Sequence, residues 1–447
     1  MVDLTTTYMG IPLKNPIIVA GGPTTQSVEM CHKAAQAGWG ALVTKTYFAQ
    51  EVVRRKLTNV MYRPAFALLS SDGRGRWRSQ VPKLNGPRYG NKLGKVAPDY
   101  ALALNPRGTT FQTWPDDHAY LDFLNRVAEL AHASGCKVIA SIYAYTEEGW
   151  EQQCDLVNRS SADGVELNLG CPVTGGLWPE TGEPFPQAPG YYPDLVARWA
   201  LFCTQRLRVP VSVKLPGHSP DPLSAVKAAQ GNGCRGVQYA DTRIVPDPTL
   251  FIDLDTAKPA VFPDYPLFRG GIPSASWHLP FILGRVAQFR MADVSLDISG
   301  CGGVQSGLDV VRLFMAGATS AQACTATLVE GVGIARQWLE EISGWMESRG
   351  NSSLHELQGL ALRQLTTDVG RLPPGEVPQI MGGPLPRQQV QVNEKRCISC
   401  HWCEEACPYL AIQIPDKAPM IDPGRCEVCG MCVALCPMRA LSIAARQ

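Results

Sequence analysis

Residues Lys137 to Leu169 read KVIASIYAYTEEGWEQQCDLVNRSSADGVELNL. The run Lys137–Tyr143 is a strand candidate, Gly149–Ser160 has the pattern of a helix, and Gly164–Leu169 is a second strand. The same alternation extends both ways. Upstream, Pro16–Ala20 is a strand, the stretch around Ser27–Ala37 is a helix stopped by Gly38, Ala41–Lys45 is a strand, and helix Tyr120–Ser134 leads into Lys137. Downstream, helix Asp194–Arg206 precedes strand Val211–Leu215, and helix Leu223–Asn232 precedes Gly236–Tyr239. Helix Leu279–Phe289 precedes Val294–Ile298, and helix Gly307–Ala316 precedes Ser320–Cys324. About eight strand–helix units in one run predict an α/β fold, a closed (β/α)8 TIM barrel with helices outside. An open doubly wound sheet would announce itself by a G-x-G-x-x-G turn after an early strand, and none stands in that context.

Three segments interrupt the rhythm: residues 48–118, 173–193 and 243–276. Each follows a strand, so each belongs at the C-terminal face of the barrel, where barrel active sites are built. After Gly331 come two predicted helices, Ile334–Ser348 and Leu354–Leu365. Leu372–Arg387, rich in Pro and Gly, then reads as a strap or linker. The chain divides into a barrel at 1–331, a helical and linker segment at 332–390, and a terminal domain at 391–447.

That terminal domain carries Cys397-x2-Cys400-x2-Cys403-x3-Cys407-Pro408 and again Cys426-x2-Cys429-x2-Cys432-x3-Cys436-Pro437. This is the bacterial-type two-[4Fe–4S] ferredoxin spacing, in which the fourth cysteine of each run serves the other cluster. One cluster is assigned Cys397, Cys400, Cys403 and Cys436; the other takes Cys426, Cys429, Cys432 and Cys407. Zinc sites use two cysteine pairs separated by a longer loop, which this is not. The protein therefore handles single electrons.

Composition sets the remaining bounds. The chain has 447 residues, 45% hydrophobic and 18% charged, with a formal net charge of +1. Nothing in that balance indicates nucleic acid or membrane as a partner. Eight of the 16 cysteines lie in the cluster motifs. The others are scattered singly, which is no disulfide framework, and cluster thiolates require a reducing compartment. The start, Met1-Val2-Asp3-Leu4, lacks a basic-then-apolar signal, and no run approaches the roughly 20 apolar residues of a membrane span. A cytoplasmic location is the expectation. Between Glu51 and Lys95 the chain carries a net charge of +9. That segment is a solvated face, a surface for an acidic partner, or a site for an anionic substrate such as a carboxylate, phosphate or CoA thioester.

Strand-end signatures carry the chemistry. Val43-Thr44-Lys45-Thr46 ends an early strand with a lysine. Asn168-Leu169-Gly170-Cys171-Pro172 ends a central one, and Val213-Lys214-Leu215-Pro216 puts a second lysine at the end of the next. Gly302-Gly303 and Ala323-Cys324-Thr325-Ala326 come late, as a barrel phosphate site requires.

This order of motifs resembles the dihydroorotate dehydrogenase / dihydropyrimidine dehydrogenase flavoprotein family over residues 1 to about 330. With the cysteine motifs, the likeness extends over the full chain of the bacterial dihydropyrimidine dehydrogenase catalytic subunits. The resemblance implies FMN at the barrel mouth. Lys45, Thr46 and Asn168 would lie by the flavin, and Lys214 would offset the negative charge of its reduced ring. Gly270, Gly271, Gly302, Gly303, Thr325 and Ala326 would surround the ribityl phosphate. Cys171 matches the family's general acid/base, giving a proton to one carbon of a polarised C=C bond while hydride goes to its neighbour. The other seven isolated cysteines read as small buried hydrophobes. Asn168, Thr146, Asp241 and Thr242 would face the substrate. The pair Asp241-Thr242 stands where the pyrimidine enzymes have Asn-Thr, and a carboxylate cannot donate the hydrogen bond an amide can. Val173 follows the Cys-Pro pair where a polar residue is usual, and the loop adds Trp178, Phe185, Tyr191 and Tyr192. The resemblance therefore implies a CH–CH oxidoreductase acting on a pyrimidine. Two alternatives stay open: the same chemistry on an anionic unsaturated ring or acyl thioester, and a non-catalytic FMN/Fe–S relay subunit. With no nicotinamide fingerprint in this chain, an FAD- and NAD(P)H-containing subunit or a ferredoxin would donate electrons. A homodimer or hetero-oligomer is the family expectation.

Overall fold

The computed structural model describes residues 2–49, 66–71, 77–79, 100–104, 114–170, 188–217, 219–240, 252–253, 258–259, 272–274, 276–365 and 388–445. It separates into two compact units, Met1–Leu365 and Thr366–Gln447.

The first unit opens with an antiparallel hairpin, β1 (Thr6–Tyr8) and β2 (Ile11–Leu13), turned by Met9 and Gly10 in the left-handed region. Eight parallel strands follow: β3 (Ile17–Val19), β4 (Ala41–Val43), β5 (Lys137–Tyr143), β6 (Gly164–Asn168), β7 (Val211–Pro216), β8 (Gly236–Ala240), β9 (Asp297–Cys301) and β10 (Ser320–Ala323). Each pairs with the next, and β10 pairs back with β3, closing the barrel. Neighbours in sequence are neighbours in space because a helix returns the chain each time to the start of the next parallel strand.

The helices are α1 (Val28–Ala37), α2 (Asp117–His132), α3 (Glu147–Asn158), α4 (Pro193–Thr204), α5 (Pro222–Gly231), α6 (Leu279–Met291) and α7 (Gly307–Met315), then the short α8 (Thr325–Val329) and α9 (Ala335–Ser348). Their ends are set locally. Ser27 caps α1 by accepting from the Met30 amide, and Gly38 closes it at φ 109°. Asp116 and Thr146 cap α2 and α3, so these helices begin earlier than the predicted Tyr120 and Gly149. The predicted helix Leu354–Leu365 is instead two 3-10 turns, Leu354–Glu356 and Leu360–Gln364, because Gly359 between them sits at φ 73°. The predicted strand Val294–Ile298 begins later, at Asp297, since Val294 and Leu296 pack into the core before the ladder starts.

The hairpin seals the N-terminal end of the barrel. Tyr8, Met9, Ile11 and Leu13 pack with Ile18, Ala41, Val43 and Ile139. A Cβ at Gly164 would lie 2.8 Å from the Met9 methyl, and one at Gly236 2.6 Å from Met9 Cγ, so the strands above the plug begin with glycine. Gly10 N donates to Asp297 Oδ2 at 3.0 Å and Thr6 Oγ1 to the Thr319 carbonyl at 2.9 Å, tying the turn and its strand to the barrel wall.

Long insertions meet in one antiparallel sheet. Ile272–Ser274 pairs with Tyr100–Leu104, which pairs with Phe66–Ser71, and that with Trp77–Ser79. The other residues of the basic stretch 51–95 lie outside the described residues.

In the second unit β11 (Gln388–Val392) pairs with β14 (Leu441–Ala445), and β12 (Ile412–Gln413) with β13 (Met420–Ile421). Between them stand α10 (Trp402–Glu405) and α11 (Met431–Leu435). Cys403, Ile412, Ile414, Cys432 and Leu441 form its small core.

Candidate active site

Period-two alternation in the barrel strands sorts apolar from polar. In β6, Val165 and Leu167 join the helix-facing core while Glu166 and Asn168 take the opposite face. In β7, Val213 joins that core and Ser212 and Lys214 do not; in β8, Val237 joins it and Gln238 does not. Parallel register aligns Asn168 with Lys214, Lys214 with Gln238, Gln238 with Ser299 and Ser299 with Ser320. Polar groups buried inside a barrel need hydrogen-bond partners or a ligand, so this row is a candidate site.

Part of this polar interior has defined partners, whereas Gln238 Oε1, Ser299 Oγ, Ser320 Oγ and Gln322 Oε1 are buried with none among the described residues. Asn168 Nδ2 donates to Thr46 Oγ1 at 2.7 Å, and Thr46 Oγ1 lies 2.9 Å from Ser141 Oγ. Below, Ser141 N donates to Thr44 Oγ1, which meets the Tyr120 hydroxyl at 3.0 Å. Gln322 Nε2 donates to Glu166 Oε2 at 3.3 Å. Asn168, Glu166, Gln238 and Gln322 are all at most 2% exposed.

The two lysines converge electrostatically. Burial pushes the Cys324 thiol up, and both the Lys214 and Lys45 ammonium groups oppose that. Burial likewise pushes Cys301 up to about 12 against the pull of Lys214. Lys45 is held at its strand end by its amide, which donates to the Thr25 carbonyl at 3.1 Å.

Beside them a cleft is lined by Cys301, Gly302, Gly303, Val304, Gln305, Gln322, Ala323, Cys324, Thr325 and Ala326. It lies at the C-terminal ends of β9 and β10. Gly302 and Gly303 have φ of 118° and 73°. A Cβ on Gly303 would lie 2.5 Å from the Leu279 amide nitrogen and 2.9 Å from the Ser276 carbonyl, so only glycine fits that turn.

The structure thus brings Lys45, Thr46, Asn168, Lys214, Gly302, Gly303, Thr325 and Ala326 to one end of the barrel. Thr146 is at the end of β5, where its hydroxyl accepts from Gly149 N at 3.1 Å as a helix cap. Cys171, Asp241, Thr242, Gly270 and Gly271 lie outside the described residues. Cys31, Cys136, Cys154, Cys203 and Cys234 are packed in the core, whereas Cys301 and Cys324 line the cleft. Sequence reasoning missed Glu166, Gln238 and Gln322. Their signal is a small or polar residue at every second position of GVELN, GVQYA and SAQA, with Glu166, Gln238 and Gln322 at the centre or end of each series.

In the second unit Cys397, Cys400, Cys403 and Cys436 line one small cavity with Ile398, Trp402, Ile414, Pro419, Pro437, Met438, Ala440 and Leu441. Ser399, His401 and Leu410 have positive φ, and so do Val428, Gly430 and Arg439 at matching places in the second motif. Those turns aim amides at sulfur: Ser399 N to Cys397 Sγ at 3.4 Å, Ala411 N to Cys407 Sγ at 3.3 Å, and Ala440 N to Cys436 Sγ at 3.2 Å. Four sulfurs around an apolar cavity, some receiving amide hydrogen bonds, fit a cubane cluster.

Comparison with known proteins agrees. The family described as dihydroorotate dehydrogenase matches residues 85–346, and the 4Fe-4S binding domain matches residues 390–413 and 419–442. The chain is 24% identical over 371 residues to the chloroplastic dihydropyrimidine dehydrogenase (NADP(+)) of Arabidopsis thaliana, covering 82% of this chain and 78% of that one. It is 24% identical over 418 residues to the NAD-dependent dihydropyrimidine dehydrogenase subunit PreA of Escherichia coli (strain K12), covering 91% and 85%. It is 24% identical over 358 residues to the catalytic subunit of dihydroorotate dehydrogenase B (NAD(+)) from Methanocaldococcus jannaschii, covering 80% and 98%. Among the described residues no helix is long and apolar enough to cross a membrane. The chain belongs to the dihydroorotate dehydrogenase family of oxidoreductases, here joined to a 4Fe-4S ferredoxin domain.

Proposed function

We propose that the chain is an FMN- and iron–sulfur-dependent oxidoreductase that reduces a polarised C=C bond. The observation that carries this reading is the convergence of Lys45 and Lys214 beside a glycine-walled cleft at the C-terminal barrel end. Lys45, Thr46, Asn168 and Lys214 would hold the flavin ring. Gly302, Gly303, Thr325 and Ala326, with Gly270 and Gly271, would hold the ribityl phosphate. The fit is chemical: two ammonium groups offset the charge of a phosphate and a reduced ring, and the left-handed glycines let backbone approach closely. FMN, when bound, supplies hydride to one carbon of the substrate.

The chain supplies the rest. Cys171 gives the proton to the neighbouring carbon; a thiol is protonated at neutral pH and yields its proton to a developing carbanion. Asn168, Thr146, Asp241 and Thr242 orient the substrate. The eight cluster cysteines hold two [4Fe–4S] centres that deliver electrons singly. An FAD- and NAD(P)H-containing subunit or a ferredoxin feeds them, consistent with the relative named as a subunit of an NAD-dependent enzyme.

Two of the relatives are named as dihydropyrimidine dehydrogenases, which favours a pyrimidine as the unsaturated partner. The Asp241-Thr242 pair and the basic stretch 51–95 favour a second reading, in which the substrate is an anionic unsaturated ring or acyl thioester. Anaerobically reduced protein mixed with pyrimidines, cyclic enones and enoyl thioesters decides between them, read as flavin reoxidation in stopped flow. One class should reoxidise the flavin rapidly, and Cys171→Ala should slow that step by about 100-fold or more while flavin reduction is unchanged. Wild-type turnover in Cys171→Ala removes the thiol from the mechanism. Reoxidation by none of the classes would leave the chain as an electron relay.

A further inference from the structure

Glu166 is the buried carboxyl of the barrel interior, and the chemistry above gives it no task. It is 1% exposed and sits two residues below Asn168 on β6. Register places it beside Ser141 of β5 and Ser212 of β7. The Gln322 amide reaches it from β10 at 3.3 Å. Burial raises its pKa, and the Lys214 ammonium opposes that rise. The other titratable groups that sense its charge are Tyr8 of the floor hairpin and Cys301 of β9. Burial holds both protonated well above neutral pH, so neither is a charge. Among the described residues that sense Glu166, Lys214 is the cation.

A carboxylate inside a closed barrel is costly when isolated, and it persists where a cation and a hydrogen-bond donor are arranged for it. Gln322 and Lys214 are that arrangement. Lys214 stands on the neighbouring strand, two residues beyond the Ser212 that pairs with Glu166 and on the same face, and in the reading above it meets the negative charge of the flavin ring.

We propose that Glu166 is the counter-charge of Lys214, positioning its ammonium group and so setting the reduction potential of the flavin that Lys214 would contact. This rests on the assignment of Lys214 to the flavin ring. The sign follows from electrostatics. A positive charge beside the ring favours the reduced, negatively charged form, and a carboxylate behind that charge attenuates it. Glu166 is a positioning residue that acts through Lys214.

The test is a redox titration of the flavin in the holoenzyme, in anaerobic buffer at pH 7 with indicator dyes. Glu166→Gln keeps the shape and removes the charge. It should shift the reduced-to-oxidised equilibrium at least tenfold toward reduced flavin, which is about 30 mV more positive for a two-electron couple. Glu166→Asp should restore most of the wild-type value, and Lys214→Met should move the potential the other way. Gln322→Leu, which removes the donor but no charge, should shift it as Glu166→Gln does but less, and this arm remains readable should Glu166→Gln fail to retain flavin. An unchanged or more negative potential in both Glu166→Gln and Gln322→Leu, with Lys214→Met shifted, overturns the role of Glu166 alone. An unchanged potential in Lys214→Met overturns instead the placement of Lys214 at the flavin.

Discussion

Asn168 donates its side-chain amide to the Thr46 hydroxyl at 2.7 Å, joining the end of β6 to the segment after β4 across the intervening β5. The same hydroxyl meets Ser141 of β5 at 2.9 Å, so β6, β5 and the segment after β4 are joined at one oxygen. Thr46→Val preserves shape and removes that oxygen. It should lower the unfolding free energy by about 1–3 kcal/mol, because buried partners lose their hydrogen bonds. Chemical denaturation checks this, and Thr46→Ser should recover most of the loss.

The cavity shared by Cys397, Cys400, Cys403 and Cys436 predicts a pattern of non-additivity in cluster loss. Cys436→Ser and Cys407→Ser should each release about half the iron. Adding Cys397→Ser to Cys436→Ser should release little more, since both serve one centre. Combining Cys407→Ser with Cys436→Ser should empty both. Iron content and EPR of the reduced protein measure this, and equal losses for the two double variants contradict the crossed ligand sets.

At Gly303 a methyl group meets the Leu279 amide nitrogen and the Ser276 carbonyl, both backbone, in a residue at φ 73°. Backbone cannot step aside as a flexible side chain does. A left-handed conformation costs a non-glycine residue about 1–2 kcal/mol, so Gly303→Ala should weaken FMN binding by roughly tenfold or more. Equilibrium dialysis of the deflavinated protein gives the number. Gly424→Ala, in the other unit, is the control and should leave flavin affinity unchanged.

Much of this architecture is legible from punctuation in the chain. Gly38 stops its helix where expected, and Ser27 caps it. The cysteine spacing alone assigns the sulfurs that the structure gathers around one cavity. The first hairpin is barely legible, although Met9-Gly10 between Thr6–Tyr8 and Ile11–Leu13 is a two-residue turn flanked by alternating residues. Three-residue strands carry too little periodicity to stand out. Glu166 escaped for a different reason. A single charged residue in an apolar strand looks like an interruption until the register shows its neighbours to be Ser141 and Ser212. Leu354–Leu365 has helical apolar spacing, and the backbone of Gly359 overrode it.

Buried thiols give the fold an alkaline limit. Desolvation pushes Cys31, Cys136 and Cys234 from an ordinary value of 9.0 to about 12. Between pH 9 and 12 the unfolded chain has lost these protons while the folded one keeps them, so stability falls as pH rises. The slope is about 1.4 kcal/mol per pH unit for each thiol. Denaturation midpoints measured across that window should drop steeply, and less steeply in Cys234→Ala. Below pH 9 the same thiols should resist iodoacetamide in the folded protein.

The hairpin floor turns the barrel into a cup. Among the described residues, Tyr8, Met9, Ile11 and Leu13 close its base, so a molecule that reaches the polar row enters and leaves by the rim. Arrival and departure therefore share one passage. With the substrate held at Asn168 as proposed, retained product should inhibit by competing with the next substrate, which product-inhibition kinetics reads.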